Sequence, residues 1–283
     1  MNIDALKTRA NIIRILRDFF HGLGFMETDT PVRIQSPAPE CHIDCPEVAS
    51  GGFLRASPEL QMKKLLAAGL DKIFQIGPCF REGERGSRHR PEFTMIEWYR
   101  KGGSYLDIKK DLIDLSRRLF SEVSGRTKPQ DHVITVRGAY RQWAGWDPWQ
   151  EWDQDRFDCD MALKIEPALK RLGNGVFLMD YPVQAASLSL VRGDIAERWE
   201  YYWNGIELAN CFSELCDGGE QRRRFLQARE ERRQLQEADY PLDEEFLTSL
   251  SRIHSAAGVA LGVDRLVMAL TGLENISSVV FPE

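Results

Sequence analysis

Apolar residues recur at helical spacing along the start of the chain. Ile3, Leu6, Ala10, Ile13, Leu16 and Phe20 predict an amphipathic helix that ends near Gly22 and Gly24. A short extended stretch follows over residues 25–31, and Pro37, Pro39, Pro46, Gly51 and Gly52 then mark 35–52 as a loop. Ser57-Pro58-Glu59 predicts a helix start, with Ser57 as N-cap, Pro58 at the first helical position and an acid in the first turn. That helix is expected to run to about Ala68, ahead of Gly69. Two strands are predicted over 72–81 and 92–100, joined by a polar loop rich in Arg and Gly. Residues 104–123 read as a second amphipathic helix, and the charged stretch 219–238 as a solvated one. Residues 258–270 read as a strand running directly into a helix. The least legible part is 130–180, where Trp143, Trp146, Trp149 and Trp152 stand among acids and are expected to anchor an irregular subdomain. With no internal repeat and no linker, the pattern predicts one α+β domain over residues 1–283.

Two strands carry an informative conflict. Alternation over 92–100 puts Phe93, Met95, Glu97 and Tyr99 on one face. A carboxylate among apolar groups is costly unless it lies at a solvated edge or meets a cation. Glu97 is therefore either a rim residue or part of a pocket for a cationic ligand. The aromatic run 199–214 repeats the pattern with Glu200, Glu207 and Glu214. Asn210, Phe212 and Glu214 share a face, whereas Glu207 falls on the opposite one unless a bulge intervenes. Carboxylates so placed suit Mg²⁺, which takes one or two of them together with substrate phosphates; exposed-face acids are the plainer alternative. Arg81 and Arg265 stand at element ends, where arginines can clamp phosphates or stack on a purine. Neither a Walker P-loop nor a strand-following G-x-G-x-x-G is present.

Composition narrows the class. Hydrophobic residues make up 43% and charged residues 28%, ordinary for a globular protein with a sizeable core. Lys plus Arg is 37 against 43 for Asp plus Glu, a formal charge of −6, which argues against wrapping a large nucleic acid. Asp4, Arg9 and Arg14 interrupt any signal-peptide core, and no apolar run could span a bilayer, so a cytoplasmic location without membrane contact is expected. Six cysteines do not suggest a disulfide scaffold, and Cys41-His42 with Cys45 is too loose for a zinc site without a second pair.

Together these segments resemble the catalytic core of a class II aminoacyl-tRNA synthetase of the lysyl type. Thr28-Asp29-Thr30-Pro31 looks like motif 1, Phe80-Arg81 through Arg88-His89-Arg90-Pro91-Glu92-Phe93-Thr94-Met95 like motif 2, and Gly258 through Arg265 like motif 3. Ser57-Pro58-Glu59-Leu60 and the run Glu207 to Leu215 match lysyl-specific surroundings. Motif 1 begins too early for the anticodon-binding domain of lysyl-tRNA synthetases, so the chain is most similar to their paralogues, the elongation factor P–(R)-β-lysine ligase family. Ala260 fits that comparison, because lysyl-tRNA synthetases typically carry Gly there.

The resemblance implies a mostly antiparallel sheet flanked by helices, a homodimer built through motif 1, and an enzyme without an anticodon-binding domain. It implies ATP as substrate with Mg²⁺, lysine or β-lysine activated as an adenylate, and transfer to a lysine of elongation factor P, with tRNA not expected as a partner. Arg81 would hold the substrate carboxylate and α-phosphate, Phe93 and Arg265 would sandwich the adenine, and Arg88 and His89 would lie near the phosphates. Glu200 and Glu207 would ligate Mg²⁺. Glu59, with Ser57 beside it, would meet the amino group near the reacting end, while Glu97, Tyr99, Asn210 and Glu214 would hold the other amino group and the chain. Phe212 would line the aliphatic stem, and Ala260 would border the pocket. Two positions depart from the family pattern: Gly83 stands where motif 2 usually has Glu, leaving Glu84 to take the contact, and Arg90 replaces the usual Asn. A minimal lysyl-tRNA synthetase is the alternative reading, and a non-catalytic paralogue is opposed by intact Arg81, Glu200, Glu207 and Arg265.

Overall fold

The computed structural model describes residues 2–41 and 43–281. Its strands are β1 (Met26–Glu27), β2 (Arg33–Ile34), β3 (Phe53–Leu54), β4 (Lys72–Phe80), β5 (Glu92–Lys101), β6 (His132–Thr135), β7 (Gly175–Pro182), β8 (Val191–Arg192), β9 (Ile195–Trp203), β10 (Ile206–Ser213) and β11 (Ala256–Gly262). Nine of them form one sheet in the order β1-β4-β5-β11-β10-β9-β7-β6, with β8 attached to β9. All pairings in this sheet are antiparallel except β1 with β4 and β6 with β7. The expected class, a mostly antiparallel sheet flanked by helices, is the one observed. The small β2–β3 pair closes the proline-rich loop at its base.

Helix Ile3–Gly22 forms as the spacing predicts and is capped by Asn2, whose side chain accepts from the Ala5 N–H at 3.1 Å. Its buried stripe is Ala5, Ile12, Ile15, Leu16, Phe19 and Phe20, rotated from the expected one, and Ile3 is exposed. The sheet selects that stripe: Phe20 meets Trp98 of β5 at 4.9 Å and Phe74 of β4 at 5.2 Å between ring centroids. Ile96 and Trp98 thus point into the helical layer, and alternation sends Glu97 and Tyr99 to the other face. Glu97 is 1% exposed, so the solvated-rim reading of that acid is wrong.

The segment 130–180 contains two strands and several short helices. Its tryptophans pack around Tyr140 and Phe157, which stack at 4.6 Å; Trp146 donates to Asp160 at 2.8 Å and Trp149 to the Asp194 carbonyl at 2.7 Å. They are anchors. Helix Gly218–Gln234 is more than the solvated face its charge run suggests, because Gln221, Phe225 and Arg232 are buried. The fully buried Arg232 pairs with Asp44 at 2.5 Å and Glu237 at 2.9 Å. It also donates to the Glu40 carbonyl at 2.7 Å and the Ile43 carbonyl at 3.3 Å, which pins Glu40, Ile43 and Asp44 against the body.

Candidate active site

A register shift in β10 brings the acids together. Asn210 pairs with Glu200 and Ala209 with Tyr201, but Glu207 pairs with Tyr202, so the ladder skips Leu208. The extra residue puts Glu207 on the face that carries Glu200 and Asn210. On the same face, Ala260 of β11 lies between Glu97 and Asn210, and Gly258 lies between Tyr99 and Phe212. A Cβ at Gly258 would come within 2.1 Å of the Tyr99 ring, so only glycine lets that ring cross the strand.

These residues line a cavity of about 360 Å³. Its wall includes Ser57, Glu59, Arg81, Glu84, Arg88, His89, Phe93, Tyr99, Glu200, Glu207, Asn210, Phe212, Glu214, Ala260 and Arg265. Of the residues expected in the site, only Glu97 lies behind the wall. It accepts from Ser57 at 2.7 Å and from Tyr99 at 2.8 Å. Burial, then the charge of Glu59, push its carboxyl up to about 7. Ser57 also accepts the Glu59 N–H at 3.0 Å, although the helix starts at Glu59 with Pro58 in the cap position rather than Ser57. A larger open groove of about 860 Å³ lies beyond Glu214, but its arginines Arg192 and Arg222 are already paired with Glu197 and Glu244.

The deep end holds an internal ammonium. Lys63, 1% exposed, pairs with Glu59 at 2.5 Å and with Glu214. Burial opposes its charge, yet Glu214 and Glu59 outweigh burial and hold its pKa above the usual lysine value. Burial raises Glu214 to about 8 despite Lys63, with Glu59 adding to the shift. Glu59 and Glu214 thus meet on one ammonium, which does not match the expectation that they serve opposite ends of a lysine chain. At the other end Arg265 pairs with Glu207 at 3.2 Å and approaches His89 Nε2 at 2.5 Å. Burial and the neighbouring Arg265 lower the His89 pKa, so the neutral ring accepts from the guanidinium. The Phe93 ring faces Arg81 at 5.2 Å, and Arg81 pairs with Glu84 at 3.3 Å. Gly83, at φ +74, takes a left-handed turn just before Glu84.

Glu200 and Glu207 offer oxygen donors on adjacent strands. Burial and then the Glu200 charge raise the Glu207 pKa, against the opposing charges of Arg265, Arg81 and Arg198. That donor set fits a divalent cation shared with phosphate oxygens, even though Arg198 holds Glu200 at 2.5 Å and Tyr202 donates to it at 2.6 Å. Among the described residues no group of three His, Cys, Asp or Glu side chains is placed to hold a metal, and Cys41 and Cys45 are free thiols. His42, the third member of the loose cysteine cluster, lies outside the described residues.

Four charged residues in or directly behind the cavity wall escaped the sequence reading of the site. Lys63 was signalled by its position four residues after Glu59, the spacing of facing helix side chains. Arg198 stands two residues from Glu200 on one strand face, and its guanidinium lies 4.3 Å from the Tyr181 ring. Asp264 accepts from the Thr94 N–H at 2.8 Å and pairs with Arg9, tying β5 to the first helix. Glu40 sits in the proline-rich loop, where no periodicity marks it.

A family model described as class II tRNA synthetases (D, K and N) matches residues 2–283. The elongation factor P–(R)-β-lysine ligase of Hamiltonella defensa is 33% identical, covering 99% of this chain and 95% of that protein. The ligases of the same name from Avibacterium paragallinarum and Proteus mirabilis are 32% and 33% identical, again covering 99% of this chain and 95% of each relative. Among the described residues no helix is long and apolar enough to cross a membrane.

Proposed function

Because the chain belongs to the class II tRNA synthetase family (D, K and N), as an ATP-dependent amino-acid ligase, we propose that it activates (R)-β-lysine, or lysine, and transfers it to a lysine of elongation factor P. A carboxylate oxygen of the amino acid attacks the α-phosphorus of ATP and pyrophosphate leaves. The acceptor amine then attacks the acyl carbonyl, AMP leaves, and the amine gives up a proton as the amide forms. The observation that carries this reading is the division of one cavity: buried acids at one end suit a diamino substrate, and Arg81, Arg88 and Arg265 at the other suit phosphates.

In this reading Arg81 holds the amino-acid carboxylate and α-phosphate as charge builds on phosphorus. Phe93 and Arg265 receive the adenine, Glu84 takes the adenine or loop contact that Gly83 lacks, and Arg88 and His89 lie near the phosphates. Glu97, Tyr99 and Asn210 hold the distal ammonium and chain with Glu59 and Glu214, and Phe212 covers the stem. Ser57 sets Glu97, and Ala260 borders the reacting end. Glu200 and Glu207 would hold Mg²⁺, which when bound offsets phosphate charge. The catalytic unit spans residues 1–283 and works as a cytoplasmic homodimer. The family's charging of tRNA favours a second reading, a minimal lysyl-tRNA synthetase, against which the net charge of −6 speaks.

Amino-acid-dependent ATP–pyrophosphate exchange tests the first step. Wild type is expected to exchange with a lysine isomer, and Glu207→Gln to lose about 10²–10³ in rate while remaining folded. Exchange at the wild-type rate by that variant would remove Glu207 from the chemistry.

A further inference from the structure

Among the described residues, the acids on the cavity wall are neutralised with one exception. Glu59 and Glu214 share Lys63, Glu84 has Arg81, Glu200 has Arg198, Glu207 has Arg265 and Asp264 has Arg9. Among the described residues Glu40 has no lysine or arginine partner, and its carboxylate accepts the Ser187 hydroxyl at 3.0 Å. It keeps part of its surface open to the cavity while protein surrounds the rest. Burial first, and then the Glu59 charge, raise its pKa, and the charges of Arg81 and Arg198 act on it as well. A cation arriving beside Glu40 would relieve both burdens at once. The backbone around it is fixed independently, because buried Arg232 grips the Glu40 carbonyl at 2.7 Å and the Ile43 carbonyl at 3.3 Å.

The placement has a chemical meaning. A lysine isomer brings two ammonium groups and one carboxylate. Glu59 and Glu214 share Lys63 at the deep end, with Glu97 held behind them by Ser57 and Tyr99, and this group of acids can take one ammonium. Lys63 already neutralises Glu59, so among the described residues Glu40 is the wall acid still without a cation to meet the ammonium next to the reacting carboxylate. Glu40 is within electrostatic reach of Arg81, the residue facing the reacting carboxylate. We propose that Glu40 is the carboxylate that receives the ammonium nearest the reacting end, so that it selects diamino acids over mono-amino acids of the same length and shares isomer choice with Ala260.

This inference rests on the ligase reading, and the test separates the two. The full chain is compared as wild type, Glu40→Gln and Glu40→Asp with β-lysine, α-lysine and 6-aminohexanoate, which lacks the second amine. KM is read for the first two in pyrophosphate exchange, and Ki for the third as a competitor. A charge-assisted hydrogen bond predicts that wild type favours β-lysine over 6-aminohexanoate by about 10–100-fold. Glu40→Gln should erase most of that ratio through KM, leave the 6-aminohexanoate Ki within about twofold, and be partly rescued by Glu40→Asp. An unchanged ratio, or an equal loss for all three compounds as a merely structural role would give, overturns the assignment. A wild-type protein that exchanges with neither lysine isomer overturns the ligase reading itself and this inference with it.

Discussion

Glu97→Gln is expected to stabilise the ligand-free protein, by an amount that grows with pH, and to weaken its hold on substrate. Glu97 is fully enclosed, with hydrogen bonds from Ser57 and Tyr99. Burial, then Glu59, raise its carboxyl from 4.5 to about 7. An acid whose pKa is higher in the folded than in the unfolded state binds its proton more tightly when folded. Stability therefore falls as pH rises between the two values, and the whole loss is present above about 7. The interval from 4.5 to about 7 corresponds to about 3 kcal/mol at ~1.4 kcal/mol per pH unit. Glutamine keeps the shape without the charge, and both hydroxyl partners can rotate to suit an amide. Urea unfolding of both proteins should show little difference near about pH 5 and about 3 kcal/mol in favour of the variant near about pH 8. Substrate should then stabilise wild type more than the variant, because an ammonium favours the ionised carboxylate. A stability difference that stays flat across this range would refute the reasoning.

Other outcomes follow from the same geometry. Lys63→Met leaves Glu214 and Glu59 without their counter-ion; it should cost about 3–5 kcal/mol at high pH and less near about pH 6, where Glu214 can take a proton instead. An equal loss at both pH values in urea unfolding would contradict that. Ala260→Gly should narrow the preference for β-lysine over α-lysine, since one methyl in a pocket is worth about 10–200-fold in kcat/KM. An unchanged ratio, or a wild type that prefers α-lysine, would reject the steric account. Arg232→Met should loosen the loop carrying Glu40, read as faster amide exchange over residues 40–44.

The sequence made some of this legible for identifiable reasons. The alternation in β5 was visible because period two survives in a strand buried on both faces only when one face carries polar work, and Glu97 marked that face. The first helix was plain, but its buried stripe was not, since the sheet decides which flank of a broad apolar arc to cover. Glu207 could be placed only conditionally, because a bulge is a local backbone event without a periodic trace. The site was harder to partition than to find. Motif residues arrived together on one wall, yet the pairing of Glu59 and Glu214 through Lys63 depends on a helix packing over a strand end. Glu40 and Arg232 were invisible for a related reason: one sits in an irregular loop and the other in a charge run that resembles solvent-facing helix.

The central claim is that the activated acyl group is delivered to a protein amine, and one competition measures it. Wild type is incubated with ATP, Mg²⁺ and labelled β-lysine in the presence of both elongation factor P and bulk tRNA, and the label is followed into each. The account predicts that elongation factor P gains the mass of one lysyl group on a lysine side chain while tRNA acquires negligible label. Label entering tRNA as fast as it enters elongation factor P would contradict it.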